Sequence, residues 1–435
     1  MSKSPREQRG DARVKLPERR QVEMQFLSLD QWLDKDHRAR IVWAYAESVD
    51  LSDLYASIKS RLGHDGRDAI DPRILFALWL LATIEGCTSA RRLADLTTRD
   101  IAYMWICGGV SVNYHRLSDF RVDHGALLER ILVDSIGVLL NQGLVTLQTV
   151  AQDGVRVRAS AGSTSFRRGA KLDACLQEAE AHLKRLKSQS DKDPSGDERR
   201  AKAAAERAVR ERVERLARAK EELAEVQQQR EKNRVKPHSK EPRASTTDPD
   251  ARKMMMGDGG YRPAMNVQLA SDGDSRLVIS VDVVKAGGDQ GQMGKMHQKI
   301  VDDYGKLPEI YLVDGGFSVK DDIVRVEQRR TKVYGVLKDE ENQLAKGLDP
   351  YQPKRGDAPE MAAFRARMGT AEGKQQYSRR AGIAEFPNAE CRNRGLTQFR
   401  VRGVVKAKAQ AMWHILAHNF NRLRNLDFLH VVMAN

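Results

Sequence analysis

One eight-residue stretch, Ile310-Tyr-Leu-Val-Asp-Gly-Gly-Phe317, constrains the fold of this 435-residue chain more than any other. A short apolar run closes on an acid and is broken at once by two glycines. Ile310 to Val313 reads as a fully buried strand, and Gly315-Gly316 turns the chain after it. Asp314 is thereby placed at the carboxyl end of a central strand, where open α/β sheets carry their chemistry. A second strand, Leu147 to Gln152, is expected to end the same way on Asp153-Gly154. Val155 to Ala159 alternates and is expected to fold back on it as the second arm of a hairpin. The third acid of interest is Glu385. Pro387 belongs in a first helical turn, so a helix is expected to start near Glu385. Seven residues is almost two turns, which puts Glu385 and Arg392 on one face. A surface Glu and Arg on an ordinary amphipathic helix satisfies the same spacing.

Between these acids strand and helix patterns alternate. Met265 to Ala270 and Leu277 to Val284 read as a hairpin joined at Asp272-Gly273. Gln290 to Tyr304 is helical with Asp289 as its N-cap, and Glu309 to Val313 is the opening strand. Val319 to Arg329 is helical, and Lys332 to Leu337 is a strand. Three strands, then helix, strand, helix, strand and a late helix is the order of an RNase H-like mixed sheet. In that arrangement the first strand lies beside the fourth, so Asp153 and Asp314 become neighbours. Three clustered carboxylates repel, and hard divalent cations relieve them. Two Mg²⁺ or Mn²⁺ ions held by Asp153, Asp314 and Glu385 would suit phosphoryl transfer.

The rest of the α/β reading is built around this frame. Residues 1–20 are polar and basic, with Arg6, Arg9, Arg13, Arg19 and Arg20, and read as a disordered arm. Residues 21–145 are expected to form an all-α domain. Asp71-Pro72 starts a helix that is apolar on every face from Ile74 to Leu81 and ends at Gly86. Thr88 caps a short helix through Arg91, Arg92 and Leu96, and Asp100 starts another that stops at Gly108-Gly109. Short helices around a buried one, with basic outer faces, suit a helix-turn-helix DNA reader. A helical bundle with ordinary surface arginines fits the pattern equally. Residues 146–425 then hold the catalytic domain, interrupted at 165–245. There Leu172, Leu176, Ala179, Leu183 and Leu186 repeat at steps of four and three, and Val209, Val213, Leu216, Leu223 and Val226 follow at similar spacing. This predicts a two-helix antiparallel coiled coil with its tip at Asp193-Pro-Ser-Gly196 and a basic linker from Arg230 to Arg243.

Composition narrows the partners. A net charge of +14 and a pI near 9.6 favour a polyanion. Four cysteines, Cys87, Cys107, Cys175 and Cys391, show no paired spacing, so neither a disulfide framework nor a zinc site is indicated. The basic start leads into no apolar segment, and the longest apolar run, Ile74 to Ala82, is too short for a bilayer. The expectation is a cytoplasmic protein with no membrane partner. His414 and His418 stand one helical turn apart, but core residues surround them and the Glu of a metalloprotease motif is missing. Asp248, in Thr247-Asp-Pro-Asp250, reads equally as a turn former or an accessory ligand.

Resemblance sharpens the reading. Asp71-Pro-Arg-Ile-Leu-Phe-Ala-Leu-Trp-Leu-Leu-Ala-Thr-Ile-Glu-Gly86, Thr88-Ser-Ala-Arg-Arg-Leu93 and Leu117-Ser-Asp-Phe-Arg121 resemble the helical N-terminal domain of InsH-like bacterial insertion-sequence transposases. Tyr377, Arg380, Glu385 and Arg392 resemble the Tyr, Arg, Glu and Lys/Arg signature of insertion-sequence DDE transposases. Gln398-Phe-Arg-Val-Arg-Gly403 and Ala417-His-Asn-Phe420 resemble that family's C-terminal block. The resemblance implies a nucleoid-associated, homo-oligomeric enzyme acting on double-stranded DNA, namely the element's terminal inverted repeats and a target. Asp153, Asp314 and Glu385 would be the metal ligands, and Tyr377, Arg380 and Arg392 the phosphate contacts. Arg91 and Arg92 would lie in the DNA-binding domain. Two other functions share these features: a sequence-specific DNA-binding protein without catalysis, and an RNase H-fold nuclease without strand transfer.

Overall fold

The computed structural model describes residues 19–20, 26–61, 63, 68–188, 196–232 and 241–434. Most of the basic arm, the Asp193 to Ser195 part of the insertion tip and linker residues 233–240 lie outside these. Eight strands occur among the described residues: β1 Thr149–Arg158, β2 Phe166–Arg167, β3 Ala244–Ser245, β4 Arg252–Met255, β5 Tyr261–Asp272, β6 Val278–Val284, β7 Ile310–Leu312 and β8 Lys332–Tyr334. β2 and β3 form a small ladder of their own, and the other six form one mixed sheet. Its order is β8-β7-β1-β5, with β4 and β6 end to end along the far edge of β5.

The direction of pairing follows from the connections. β5 and β6 meet through the short Asp272 to Leu277 turn and are antiparallel. β1, β7 and β8 are parallel, and helices Met293–Tyr304 and Lys320–Glu327 make the crossovers. β5 is buried along nearly its whole length, as a strand covered on both faces must be.

One expected turn is absent. β1 runs unbroken through Asp153-Gly154, with Asp153 opposite Leu269 and Gly154 opposite Gln268 of β5. The Asp-Gly pair is therefore no hairpin, and Val155 to Arg158 continues the strand. Gly154 serves close approach instead. A Cβ there would stand 2.2 Å from Asp289 Oδ1 and 2.6 Å from Gln268 Nε2.

The helical N-terminal region is organised on Pro72–Ile84, buried almost throughout and capped by Asp71, whose carboxylate accepts from the Arg73 N–H. The next helix, Ala90–Arg99, is capped by Ser89 rather than Thr88. Asp100 and Gly108 bound Ile101–Cys107 as the sequence suggests.

Helix Val404–Asn425 joins the two halves. Trp413 packs against Phe76, Trp79 and Phe120, with ring centroids 5.4, 6.4 and 6.2 Å away, and its Nε1 donates to the Arg121 carbonyl at 3.1 Å. Nearly two turns on, Asn419 exchanges two hydrogen bonds with the backbone of Val278 on β6. Burying this helix on both sides merges helical region and sheet into one continuous apolar core. His414 and His418 sit inside it, and burial pushes their pKa values down to about 3 and about 4. No helix among the described residues is long and apolar enough to cross a membrane.

The insertion is helical. Helices Gly169–Ser188 and Gly196–Lys232 pack together through Leu172, Ala179, Leu216 and Ala219, flanked by Leu176, Val213 and Leu223. Its base is fastened to the sheet. Arg218 Nη2 donates to both oxygens of Asp250 at 2.9 and 3.0 Å, and buried Glu222 meets Arg252 and Lys285.

Candidate active site

Register brings two acids to one level. β1 and β7 are parallel with Ala151 opposite Leu312, so two residues on, Asp153 stands level with Asp314 on the neighbouring strand. Adjacent strands lie about 4.8 Å apart, and positions two apart along a strand share a face. Asp314 follows β7 at the turn, where its Oδ1 accepts from the Gly316 N–H at 2.8 Å. Asp153 lies within its strand, with Oδ1 accepting from Gly154 N–H at 2.9 Å and Oδ2 from Asn388 Nδ2 at 2.8 Å. Burial raises the Asp153 pKa to about 6. Arg380 opposes that rise, the Asp314 charge adds to it, and the two hydrogen bonds oppose it.

The third acid arrives differently from expectation. No helix starts at Glu385. Helix Ala371–Arg380 passes into a π-helical stretch, Ala381–Glu385, and continues as Phe386–Asn393. The Pro387 ring removes a backbone donor and crowds the turn before it, and a wider turn accommodates both. The wider turn also lets residues five apart face each other: Arg380 Nη2 donates to Glu385 Oε1 at 3.0 Å. Glu385 remains 58% exposed, while its partner Arg380 is 14% exposed and holds Nη1 buried without a protein partner.

Of the other sequence candidates, Tyr377 is partly buried against the core, and Arg392 is exposed on the Glu385 helix. Arg91 and Arg92 are exposed on Ala90–Arg99, with the Arg91 guanidinium 5.3 Å from the Tyr114 ring centroid. Asp289 caps no helix. Its Oδ1 accepts from Asn266 Nδ2 and Gln268 Nε2, both at 2.7 Å, and its Oδ2 lies 3.6 Å from Arg156. Asp248 is fully buried, and its Oδ1 accepts from the Gly403 N–H at 3.1 Å. With Asp250, which accepts from the Val404 N–H at 2.8 Å, it caps the joining helix.

Asn388 is the residue that sequence reasoning missed. Its spacing of three from Glu385 and four to Arg392 gave the signal, since all three then share a helix face.

The donor set suits a hard cation. Asp153 and Asp314 offer carboxylate oxygens at one level, the kind of ligand that hard divalent cations prefer. Glu385 is turned onto Arg380, and among the described residues no three acids, histidines or cysteines gather tightly enough to hold an ion. The structure thus brings Asp153 and Asp314 together and leaves Glu385 on the adjoining helix.

Two family models match the chain. Residues 27–123 match a transposase domain and residues 356–424 a transposase DDE domain. No curated protein and no solved structure matches. Most of the helical region and the Tyr377 to Arg392 helices each fall within a transposase model, which supports a transposase. More narrowly, the two matches together support an insertion-sequence DDE transposase. The DDE match contains Glu385 but reaches neither Asp153 nor Asp314.

Proposed function

We propose that this protein nicks DNA at the ends of its insertion sequence and joins the freed 3′-hydroxyl to target DNA. The observation that carries the reading is the β1–β7 register, which sets Asp153 level with Asp314 beside the helix bearing Glu385. We take the sheet order, with its antiparallel hairpin, parallel crossovers and late helices, as RNase H-like, and the packed insertion helices as a coiled coil. Residues 21–145 would be the DNA-binding domain and 146–425 the catalytic domain.

Asp153, Asp314 and Glu385 would hold Mg²⁺ or Mn²⁺, two ions in the fullest form. Bound there, the metal supplies Lewis acidity and activates an attacking oxygen at neutral pH. For Glu385 to join the two strand acids, its side chain must leave Arg380. That same movement frees the Arg380 guanidinium, which already carries an unpartnered buried N–H, to take a phosphate oxygen. Arg392, exposed on the same helix, is suited to hold a flanking phosphate bidentately, and Tyr377 would orient it. Arg91 and Arg92 would contact the backbone of the terminal repeat. On this reading the protein acts on DNA as a homo-oligomer in the bacterial nucleoid.

The test is incubation with Mg²⁺ and the DNA flanking its gene. Asp153→Asn, Asp314→Asn and Glu385→Gln should each abolish nicking and leave DNA affinity within about twofold, since DNA affinity rests on the cationic contacts to phosphate. Full activity of Glu385→Gln would remove it from the acid set. Cleavage without joining would make the protein a nuclease, and binding without cleavage a DNA-binding protein.

A further inference from the structure

Asn388 joins the Glu385 helix to the acid on β1, and nothing in the family signature accounts for it. The side chain is only 7% exposed. Its Nδ2 donates to Asp153 Oδ2 at 2.8 Å, while the Gly154 N–H holds Oδ1 at 2.9 Å. Both carboxylate oxygens are thereby fixed, each with a further lone pair free. The carboxylate also sets the amide's orientation, because the reverse one would oppose two acceptors. Asn388 Oδ1 is left buried without a protein partner. Such an atom is costly in a residue that merely fills space, where an apolar side chain of the same size would carry no such penalty.

Placement gives the amide its use. Glu385, Asn388 and Arg392 fall at i, i+3 and i+7 on one stripe of the helix. Rotation of that helix about its axis would move all three, and the Asn388–Asp153 bond fixes the rotation against the sheet.

We infer that Asn388 is a positioning residue of the acid site. It fixes the Asp153 carboxylate beside Asp314 and, through the same bond, sets the helix face that presents Glu385. The inference rests on the reading of these acids as the metal site. Residues that orient metal ligands through hydrogen bonds typically change metal affinity or activity 10–100-fold when removed, and an effect of about that size is expected here.

The experiment uses the full chain and Mn²⁺ as probe, with Mn²⁺ affinity by calorimetry, nicking rate, DNA affinity without metal, and thermal midpoint. Asn388→Ala should weaken Mn²⁺ binding and slow nicking by about 10-fold or more each, leaving DNA affinity unchanged. Asn388→Ser keeps a donor of shorter reach and should recover part of both. Asn388→Asp matches the wild-type shape but replaces the donor with a second carboxylate, and should nick no faster than Asn388→Ala. A packing role predicts the opposite order, with the Asp variant nearest wild type and each loss following the thermal midpoint, and that result would overturn the inference. So would wild-type Mn²⁺ affinity in Asn388→Ala. Failure of the underlying reading looks different: the wild type then binds no Mn²⁺, or Asp153→Asn binds it as well as the wild type does.

Discussion

At the scale of single residues, the absence of one Cβ lets β1 carry Asp153 at all. Gly154 lies where Asp289, Gln268 and Asn266 crowd against the strand. In Gly154→Ala the strand or the buried Asp289 network must shift, at a cost of about 1–3 kcal/mol. Gly382 is the control, since a Cβ there meets nothing within 4 Å. Gly382→Ala should be neutral or stabilise by up to about 1 kcal/mol. Urea unfolding of both variants checks the contrast, and equal effects would contradict the crowding argument. Asp248 gives a pH-dependent case. Burial raises its pKa to about 6, with the Gly403 N–H opposing the rise and the Asp250 charge adding to it. The folded protein therefore holds a proton here between about pH 4 and 6 that the unfolded chain has released. Stability from this group is present below about pH 4 and is lost as pH rises through about 6. Asp248→Asn should remove that dependence, so the variant gains on the wild type between pH 5 and pH 7 in thermal melts. A constant difference between the two would mean that Asp248 is charged in the folded protein at both values.

At the scale of elements, the sequence was legible wherever a local signal and the tertiary structure asked for the same thing. Asp71-Pro72 and Gly86 bound a helix that is apolar all round and buried all round. Ile310–Leu312 is a strand, buried at Tyr311 and Leu312, and Val313 leads from it to the acid and turn. The two misreadings have different physical causes. Asp-Gly is a strong hairpin signal, but Gly154 answers to a neighbouring loop distant in sequence. Pro387 signals a helix start, but a π-helical turn before it lets one helix run through. For Gly154 the deciding contacts come from Asn266, Gln268 and Asp289, which no window around it contains. For Pro387 the adjustment is a local departure from α geometry that residue preferences do not signal. In the insertion, Leu172, Ala179 and Leu216 of the expected period are buried between the two helices, while Leu183, Leu186, Val209 and Val226 are outside that cluster. Ala219 is fully buried there against the first helix. Ala219→Glu would bury an unpaired carboxylate and should part the helices while Arg218 and Glu222 still hold the base to the sheet. Hydrogen exchange should accelerate roughly 10-fold or more across 169–188 and 196–215 and stay unchanged around Phe76 and Trp413. Faster exchange throughout the protein would mean that the insertion is part of the main folding unit.

At the scale of the whole molecule, the proposed division into a DNA-binding half and a catalytic half meets a shared core. Phe76, Trp79 and Phe120 from the first half surround Trp413 from the second. Gly395, at the end of the Glu385 helix, approaches so closely that a Cβ there would lie 3.0 Å from Thr88 Cγ2. Composition could show that the chain is basic, but only packing shows that its cations are carried on a common frame. Deleting residues 1–145 would strip the joining helix of its aromatic partners, so DNA binding by the two halves is better separated with point variants. Arg91 and Arg92 are exposed in the first half, and Arg392 is exposed in the second. If one duplex lies across both, each contacted phosphate releases counterions and contributes about −0.9 to the slope of log affinity against log salt. Arg91→Ala with Arg92→Ala should then flatten the slope by up to about 1.8, Arg392→Ala by about 0.9, and the triple variant by about their sum. The additivity is the informative part, because a rigid frame presents all three cations to the same duplex at once. Arg392→Ala should also slow cleavage more than it weakens binding, since it shares a helix face with Glu385. A triple variant no flatter than the Arg91/Arg92 double, or a slope unmoved by any of them, would place the duplex on another face of the protein.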